Sequence, residues 1–490
     1  MQRLRIAIDP ALKRRFGPEI SWAWRLVLSG IGFPWEEVVG NGTKCDIAYV
    51  RQGQRTDHCR VAIYARPEFW EQRAELRFGA MGRADGWPHP VYVGESPGPE
   101  LIQVADGRLI CTRDLVFDVF WLATGQEERH CPADTHGHFD LGGGSYAQQA
   151  LRVAIGSGIA SQLQKTLLNL GFADALPRWP NGKRAAACVS HDVDYPEVVR
   201  WLEPLRILRR RGLGGLGAAV SVLNGTRNHW HIPSWVQRDR SLNTRSAFYF
   251  VARQGSPLQY AFGTPDPFYD VRSQRFRALF EYLTDEGFEI GMHASYRAFE
   301  SREKFASEKE ALQKASGQKI RGNRHHYWHL SPRDPESTLL MHEQIGLEYD
   351  SSLTHERYVG WRRGLSWPFF PFHQKTRREL STLQIPTAWM DDQLFGHRGD
   401  NPGDRQEILQ DLTDRTADQG GCLLIDIHDY VFDDALFPGW ASTYSELWKY
   451  VAASADFWID TPARIAGHWR TRYGRITQAS RGLTSTEGSS

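Results

Sequence analysis

Short apolar runs alternate with amphipathic stretches from about residue 185 to about residue 470 of this 490-residue chain. The runs have the length and residue types of buried strands, and the stretches repeat apolar residues at helical spacing. Because alternating strands and helices form parallel sheets through right-handed crossovers, this part of the chain predicts a barrel or an open parallel sheet. We predict strands at 185–189, 247–251, 288–292, 320–327, 349–352, 383–386 and 422–427, and helices at 197–211, 275–286, 302–316, 336–345, 404–418 and 442–455.

Residues 1–175 predict a smaller α+β domain, which precedes a second domain at 176–475. A tail at 476–490, rich in Ser, Thr and Gly, is predicted to be disordered. The loop at 130–145 carries His136 and His138, which alternate and could be metal ligands. Because an isolated His-Gly-His is a weak signal, we interpret the loop as solvated and predict no chemistry in residues 1–175.

The composition describes a globular protein, with 41% hydrophobic and 24% charged residues. Lys and Arg number 59 against 58 Asp and Glu, so nothing suggests a nucleic-acid or membrane-surface partner. The six Cys lack CxxC spacing, which argues against a thiolate metal site. No apolar run is long enough for a membrane span, and no secretory signal is visible, so we expect a cytoplasmic protein.

Polar residues of similar character stand at the carboxyl ends of four of the predicted strands. They are the segments 191–194 (His-Asp-Val-Asp), 293–296 (His-Ala-Ser-Tyr), 324–327 (Arg-His-His-Tyr) and 428–430 (His-Asp-Tyr). Alternation along a strand places Asp192 and Asp194 on one side, where two buried carboxylates need a cation or a proton between them. In a parallel barrel these strand ends converge on one face. One Asp with two or three His suits a catalytic divalent cation such as zinc.

In their order and spacing these segments resemble the polysaccharide-deacetylase (NodB-homology) superfamily. The resemblance is to its divergent branch, in which HDVD, GMHASY, RxHY and YDSS segments follow an N-terminal domain of unknown role, and it covers roughly residues 178–470. It implies a distorted (β/α) barrel and metal-dependent hydrolysis of an N-acetyl group on a sugar.

The same resemblance implies the metal ligands. Asp194 matches the metal-binding carboxylate and Asp192 the catalytic base, although the two acids are usually adjacent in the family, so their roles could be exchanged. His293 matches the first metal histidine. The second usually follows four residues later, where this chain has Arg297, and an arginine cannot ligate a cation. His326 is therefore the expected replacement, whereas His325 alternates away from it.

Three further residues take their expected roles from the resemblance. Arg324 corresponds to the arginine that orients the base, His428 to the late histidine that acts as general acid, and the backbone N–H of Tyr327 to an oxyanion donor. Asp350, in the YDSS segment, is expected to fix its own loop rather than to catalyse.

The substrate side of the site is predicted from aromatic and polar segments. The stretch 358–373 is rich in rings and prolines, and we expect Trp361 and Arg362 to line the cleft as a sugar platform with an arginine clamp. Asp391 could hold a substrate hydroxyl. The arginines at 209–211 are interpreted as a solvated helix end.

The sequence therefore predicts a zinc-dependent deacetylase that acts on a carbohydrate in exopolysaccharide or glycan-precursor biosynthesis. Two alternatives stay open. One is hydrolysis of another C–N bond, such as a cyclic amide, by the same site. The other is a non-catalytic carbohydrate-binding or scaffold protein, which the missing histidine at position 297 favours. The oligomeric state is not indicated.

Overall fold

Two sheets organise the computed structural model of the chain, one with six strands and one with nine. The residues that the structure describes are 3–38, 44–84, 86–95, 102–105, 108–134, 136, 138–139, 150–172, 175–197, 202–332, 334–395, 402–434 and 436–481.

The six-stranded sheet is built from the first third of the chain and has the order β2-β1-β3-β4-β8-β7. All its pairs are parallel except β7 with β8, and this mostly parallel pairing was not predicted from the sequence. A separate antiparallel pair, β5 with β6, lies outside this sheet. The elements are β1 (Leu4–Ile8), α1 (Pro10–Ile31), β2 (Trp35–Val38), β3 (Ile47–Arg51), β4 (Val61–Ala65), α2 (Pro67–Glu71), β5 (Phe78–Ala84), β6 (Trp87–Tyr92), β7 (Ile102–Ala105), β8 (Arg108–Cys111), α3 (Leu115–Ala123) and α4 (Ile155–Asn169).

The nine-stranded sheet begins with β9 (Ala185–Val193), and each of its pairs is parallel. The elements up to β13 are α5 (Glu203–Arg211), α6 (Leu216–Leu223), α7 (Ile232–Ser241), β10 (Ala247–Phe250), α8 (Pro257–Ala261), α9 (Gln274–Asp285), β11 (Glu289–Ala294), α10 (Arg302–Ser316), β12 (Gly322–His325), α11 (Pro335–Gln344) and β13 (Tyr349–Asp350). The remaining elements are β14 (Phe372–His373), β15 (Arg378–Glu379), β16 (Leu383–Gln384), β17 (Thr387–Met390), α12 (Asp391–Phe395), α13 (Pro402–Gln419), β18 (Cys422–Asp426), α14 (Trp440–Ala453), β19 (Phe457–Ile459) and α15 (Pro462–Arg481).

The strand order shows that this sheet curls into a distorted barrel. The order is β16-β13-β12-β11-β10-β9-β18-β17, with β19 also paired to β9. Its two ends, β16 and β17, follow each other almost directly in the chain, so the sheet must bend round to bring them together. The predicted (β/α) barrel is confirmed, and the site positions at the carboxyl ends of its strands share one face.

Alternation along β9 assigns its residues to two sides. Ala186 and Cys188 pack in the core shared with the first sheet, whereas Ala187 and Val189 pack against the outer helices. By the same alternation, Asp192 lies on the inner side of the barrel, while the His191 ring packs against Trp235 and Phe248 outside. The strand itself continues to Val193, beyond the predicted end at residue 189, because residues 190–193 pair with β10.

One hydrophobic core joins the two regions that the sequence suggested were separate domains. It contains Leu28 and Trp121 of the first region together with Trp367 and Trp469 of the second. The N-terminal region is therefore packed directly against the barrel.

The C-terminal helix corrects one prediction. Residues 476–481, expected to be disordered, form the last part of α15, because Ile476 is buried and the Ser480 hydroxyl accepts a hydrogen bond from the Trp35 amide. Residues 482–490 lie outside the described part of the chain. Within that described part, no helix has both the length and the apolar character needed to cross a membrane.

Candidate metal centre

Three strands of the barrel, β9, β11 and β12, bring the predicted ligands to one end. Asp192 lies in β9 and Asp194 directly follows it, β11 carries His293, and His326 directly follows β12. In the parallel register His293 is paired with Arg324. The strands position these side chains because their backbones are held on both sides by neighbouring strands.

Asp194, His293 and His326 form a buried cluster whose donor atoms lie within 4.8 Å of one another. His293 Nε2 is 3.4 Å from Asp194 Oδ1, and His326 Nε2 is 3.6 Å from Asp194 Oδ2. One carboxylate with two imidazoles is a donor set of catalytic zinc sites, which keep a further position open. The three residues predicted to be ligands are thus adjacent in space.

The hydrogen bonds behind these histidines direct their free nitrogens into the cluster. His293 Nδ1 lies 2.9 Å from the carbonyl oxygen of Arg324, and His326 Nδ1 lies 3.3 Å from Asp266 Oδ1. Because both partners are acceptors, each Nδ1 donates to the group behind it, and each Nε2 is left facing the cluster as the atom that could bind a cation. Asp194 Oδ1 and His326 Nε2 are buried without a hydrogen-bond partner. The residues present therefore fit a divalent cation.

Asp192 borders the cluster from a second position. Arg324 Nη1 lies 3.0 Å from Asp192 Oδ1 and 2.7 Å from Asp426 Oδ1, so the guanidinium fixes one oxygen of Asp192. The other oxygen lies 3.6 Å from His293 Nε2. Asp194, in contrast, contacts both ligand histidines. This geometry favours Asp194 as the ligand and Asp192 as the base, which the sequence had left open.

His428 also approaches Asp194, with its Nε2 3.6 Å from Asp194 Oδ2. Its Nδ1 lies 2.9 Å from Asp391 Oδ1, and its backbone N–H donates to Asp391 Oδ2 at 2.8 Å. Asp391 was expected to bind a substrate hydroxyl. The structure instead gives it the role of orienting His428, because it is buried and both its oxygens are engaged by that residue.

The charges of the site set its protonation. Burial raises the pKa of Asp192, but Arg324, His293 and His428 together lower it below its ordinary value. Burial likewise raises the pKa of Asp194, yet His326 and His293 hold it well below its ordinary value. For His428, burial lowers the pKa, but the Asp391 carboxylate raises it well above the ordinary value. Two ionised carboxylates therefore face a protonated His428.

A cavity of about 560 Å³ opens over the cluster. Besides the catalytic candidates, its lining includes Tyr327, whose backbone has a φ of 57°, in the left-handed region that is uncommon for a residue with a side chain. Aromatic rings of Tyr195, Tyr430 and Trp440 also line the cavity. Flat rings beside polar groups suit a sugar.

The loop interpreted as solvated reaches this cavity, which corrects the prediction for the first region. The His136 ring stacks on Tyr327 with centroids 4.8 Å apart. His138 is buried, lines the cavity, and places Nε2 2.5 Å from the Tyr327 carbonyl oxygen, while Nδ1 lies 3.5 Å from Glu356 Oε2. The N-terminal region thus holds the segment that follows the metal ligand His326.

Trp361 and Arg362 are not where the sequence predicted them. Trp361 is fully buried, and the Arg362 guanidinium donates to both oxygens of Glu128, at 2.8 and 2.7 Å. Neither lines the cavity over the cluster. The predicted sugar platform and arginine clamp are wrong, because this segment packs between the N-terminal region and the barrel instead.

His325 confirms the expectation that it points away from the centre. Its Nε2 lies 2.9 Å from His342 Nε2, and His342 Nε2 lies 3.8 Å from Asp350 Oδ1, all three being fully buried. Asp350 also accepts from the Ser352 amide at 3.0 Å, as expected for a residue that fixes its own loop.

Several carboxylates of the site were not predicted from the sequence. Asp266 backs His326, Asp426 shares Arg324 with Asp192, and Asp429 accepts a hydrogen bond from the Asp194 amide at 3.3 Å. Asp426 and Asp429 flank His428, so their position next to a predicted catalytic residue was a usable signal. Asp266 lies in a loop far from every motif, and no pattern in the sequence marks it.

The fold and the cluster together define a (β/α)-barrel protein with a buried Asp-His-His centre. No protein-family model matches the chain. No curated protein matches it either.

Solved structures similar to the chain include an allantoinase, at 15% identity over 61% of this chain and 96% of that one, with a TM-score of 0.41. Another is a probable polysaccharide deacetylase from Pseudomonas aeruginosa PAO1, at 16% identity over 62% and 97% of the two chains, with a TM-score of 0.40. A peptidoglycan deacetylase from Bacillus subtilis is 13% identical over 61% and 98%, with a TM-score of 0.27. At these scores and identities, the function proposed below rests on the geometry of the cluster.

Proposed function

We propose that this protein is a divalent-metal-dependent hydrolase that removes the N-acetyl group from an amino sugar, in polysaccharide or glycan-precursor biosynthesis. The observation that carries the proposal is the placement of Asp194, His293 and His326 under a cavity, with Asp192 and His428 beside them. Nitrogen and oxygen donors in this number suit zinc.

Asp194, His293 and His326 would hold the cation through one carboxylate oxygen and two Nε2 atoms. The cation, when bound, supplies a Lewis acid for the acyl carbonyl and lowers the pKa of a water molecule. Asp192 has one oxygen fixed by Arg324 and one turned toward the cluster, so it is placed to accept the proton of the attacking water.

His428 would deliver a proton to the leaving amine. Asp391 fixes the ring through Nδ1, so the Nε2–H is directed toward the cluster. A protonated imidazole held by a carboxylate is a general acid of suitable strength near neutral pH. The backbone N–H of Tyr327, which we predict as an oxyanion donor, belongs to the segment that His138 holds.

The test is acetate release by the zinc-loaded protein from a panel of N-acetylated sugars, with a cyclic ureide included as the other C–N substrate. We expect release from at least one N-acetylated sugar and loss of that activity in Asp192→Asn. His342→Leu is the control, since His342 lies outside the cavity lining. Hydrolysis of the ureide alone would overturn the sugar assignment, and a metal-loaded protein inactive on the whole panel would favour the non-catalytic alternative.

A further inference from the structure

Exposed apolar side chains are concentrated beside the cavity. Among the described residues, eleven large apolar side chains are exposed, and eight of them lie within residues 205–223 and 258–262. These two segments contain α5, α6 and α8. A soluble surface normally scatters such residues singly, so a concentration of them marks an interaction site.

Helix α6 shows the feature most clearly. Leu216, Val220 and Leu223 are 54%, 52% and 58% exposed, and their spacing places them along one face of the helix. The opposite face, with Ala219 and Val222, packs against Ile207 of α5. A surface helix usually turns polar residues outward, yet residues 212–226 contain no charged residue. The outer face of α6 is therefore apolar along its whole length and not at a single side chain.

Cationic side chains border this apolar face. Arg209 and Arg211, near the end of α5, are exposed and form no ion pair with another described residue. Arg206 ties α5 to α8, because its Nη2 donates to the Tyr260 hydroxyl at 3.0 Å. On α8 and just after it, Leu258 and Phe262 are also exposed. Exposed apolar side chains thus lie on both sides of this contact, and the two arginines lie on the α5 side.

Two of these elements, α5 and α8, form part of the wall of the cavity over the candidate metal centre. Arg206, Ile207, Arg209, Arg211 and Tyr260 line it together with Asp194 and His293. Whatever covers the apolar face is consequently brought to the mouth of the site. The apolar surface therefore adjoins the cavity in which a substrate would bind, so its position is relevant to function.

We propose that α5, α6 and α8 dock the protein on an anionic lipid surface, with the arginine side of the cavity toward the phosphate groups. Apolar residues on one face with Arg at the border are the features by which helices lie in a membrane interface. A symmetric interface between two copies would bring the unpaired arginines of both subunits close together, which disfavours that occupant. The near-zero net charge of the whole chain conceals this local basic border.

The docking surface also indicates a substrate class, an inference that rests on the proposed function. A sugar attached through a phosphate to a lipid would place its phosphate beside Arg209 and Arg211 and its N-acetyl group deeper, toward the metal centre. Arginine is suited to phosphate because its guanidinium donates two parallel hydrogen bonds.

The test is co-sedimentation of the full chain with vesicles of equal parts phosphatidylglycerol and phosphatidylcholine, and with vesicles of phosphatidylcholine alone. We expect binding to the anionic vesicles, and a loss of at least about tenfold in affinity when Leu216, Val220 and Leu223 are all changed to Ser. The double variant Arg209→Glu, Arg211→Glu should lose about tenfold as well, and it keeps the test valid if the serine variant fails to fold. The control Val93→Ser, Leu168→Ser changes exposed apolar residues elsewhere and should bind as the wild type does.

Absence of vesicle binding by the wild type, or equal binding by the variants, would overturn the docking surface. A concentration-dependent dimer in light scattering that the serine variant abolishes would also overturn it, in favour of a second copy. The substrate class is tested by acetate release from two substrates. One is N-acetylglucosamine attached through a phosphate to a vesicle lipid, and the other is the water-soluble N-acetylglucosamine 1-phosphate. Faster release from the lipid-linked sugar supports a lipid-linked substrate. Equal rates would overturn that substrate class but would leave the docking surface unaffected. No release from any sugar would count against the proposed function alone.

Discussion

His325 and His326 are neighbours in sequence, yet they belong to two clusters with different properties. His326 faces the barrel interior and joins Asp194 and His293 beneath the cavity. His325 faces outward and joins His342 and Asp350, which also lie close enough together to hold an ion. Side-chain alternation at the end of β12 separates them.

The two clusters differ in access and in how their nitrogens are used. In the outer cluster the Nε2 atoms of His325 and His342 face each other at 2.9 Å, so one donates to the other. In the inner cluster each histidine is bonded through Nδ1 to a group behind it, and its Nε2 is turned toward the shared centre. Burial of an Asp-His-His set therefore does not by itself define a catalytic site. The direction of the lone pairs and an adjoining cavity distinguish the two.

The largest expected effect comes from removing a ligand of the inner cluster. His326→Ala should lose the bound ion and lower acetate release by more than about 1000-fold, because the Lewis acid and one of its three ligands are lost together. Metal content by mass spectrometry and activity are measured on the same preparation. The matched control is His342→Leu in the outer cluster, which should keep both. If the control loses the ion and His326→Ala retains it, the outer cluster and not the inner one is the metal centre.

Asp192→Asn separates a catalytic residue from a ligand within the inner cluster. We expect acetate release to fall by roughly 100- to 10,000-fold, the range for a lost general base, while the metal content stays at the wild-type level. Arg324 still has Asp426 as a partner, so the fold is kept. If Asp192→Asn loses its metal and Asp194→Asn retains it, the roles of the two carboxylates are exchanged.

Asp266→Asn tests the groups that direct the lone pairs. Asp266 accepts the Nδ1 proton of His326, and an asparagine weakens this orientation without removing a ligand. Metal affinity should fall by about 10- to 100-fold, as is usual for a residue that supports a ligand. Competition with a chelator of known affinity measures it. An unchanged affinity would show that the barrel backbone alone orients His326.

The outer cluster should make the protein less stable in acid and should contribute nothing to catalysis. Burial lowers the pKa of His342 to about 3, far below the value of about 6.5 for an exposed histidine. The unfolded chain therefore binds the proton first, and the free energy of unfolding decreases as the pH falls below about 6.5, by at most about 1.4 kcal/mol per pH unit from this group.

His342→Leu removes this group, so its free energy of unfolding should depend less steeply on pH than that of the wild type. Urea unfolding at pH 7.5 and pH 5 measures the difference, with acetate release as the second readout. Identical pH dependence in the two proteins would show that His342 is not held neutral by burial.

Much of this arrangement could be predicted from the sequence because strand periodicity fixes which residues share a side. The apolar runs predicted a parallel sheet, either open or closed into a barrel, and the resemblance of the motifs to a known superfamily implied the barrel. Alternation correctly separated His325 from His326. The break at Arg297 pointed to His326, which does lie beside His293. Long-range packing was beyond such reasoning: the burial of Trp361 and the pairing of Arg362 with Glu128 depend on how the N-terminal region meets the barrel.

The prediction for the N-terminal loop was wrong for the same reason. His138 lies far from the barrel motifs in sequence, and only the packed structure brings it to the Tyr327 carbonyl. The exposed apolar face of α6 was not predicted either. The net charge of the whole chain is close to zero, and such a total does not reveal a local group of arginines.

The most direct test of the account is a crystal structure of the zinc-soaked protein with anomalous scattering recorded at the zinc edge. We predict one strong peak in the barrel, bound by Asp194 and by Nε2 of His293 and His326 at about 2.0–2.2 Å. A peak between His325, His342 and Asp350, or no zinc at either cluster, would contradict the assignment of the inner cluster as the metal centre.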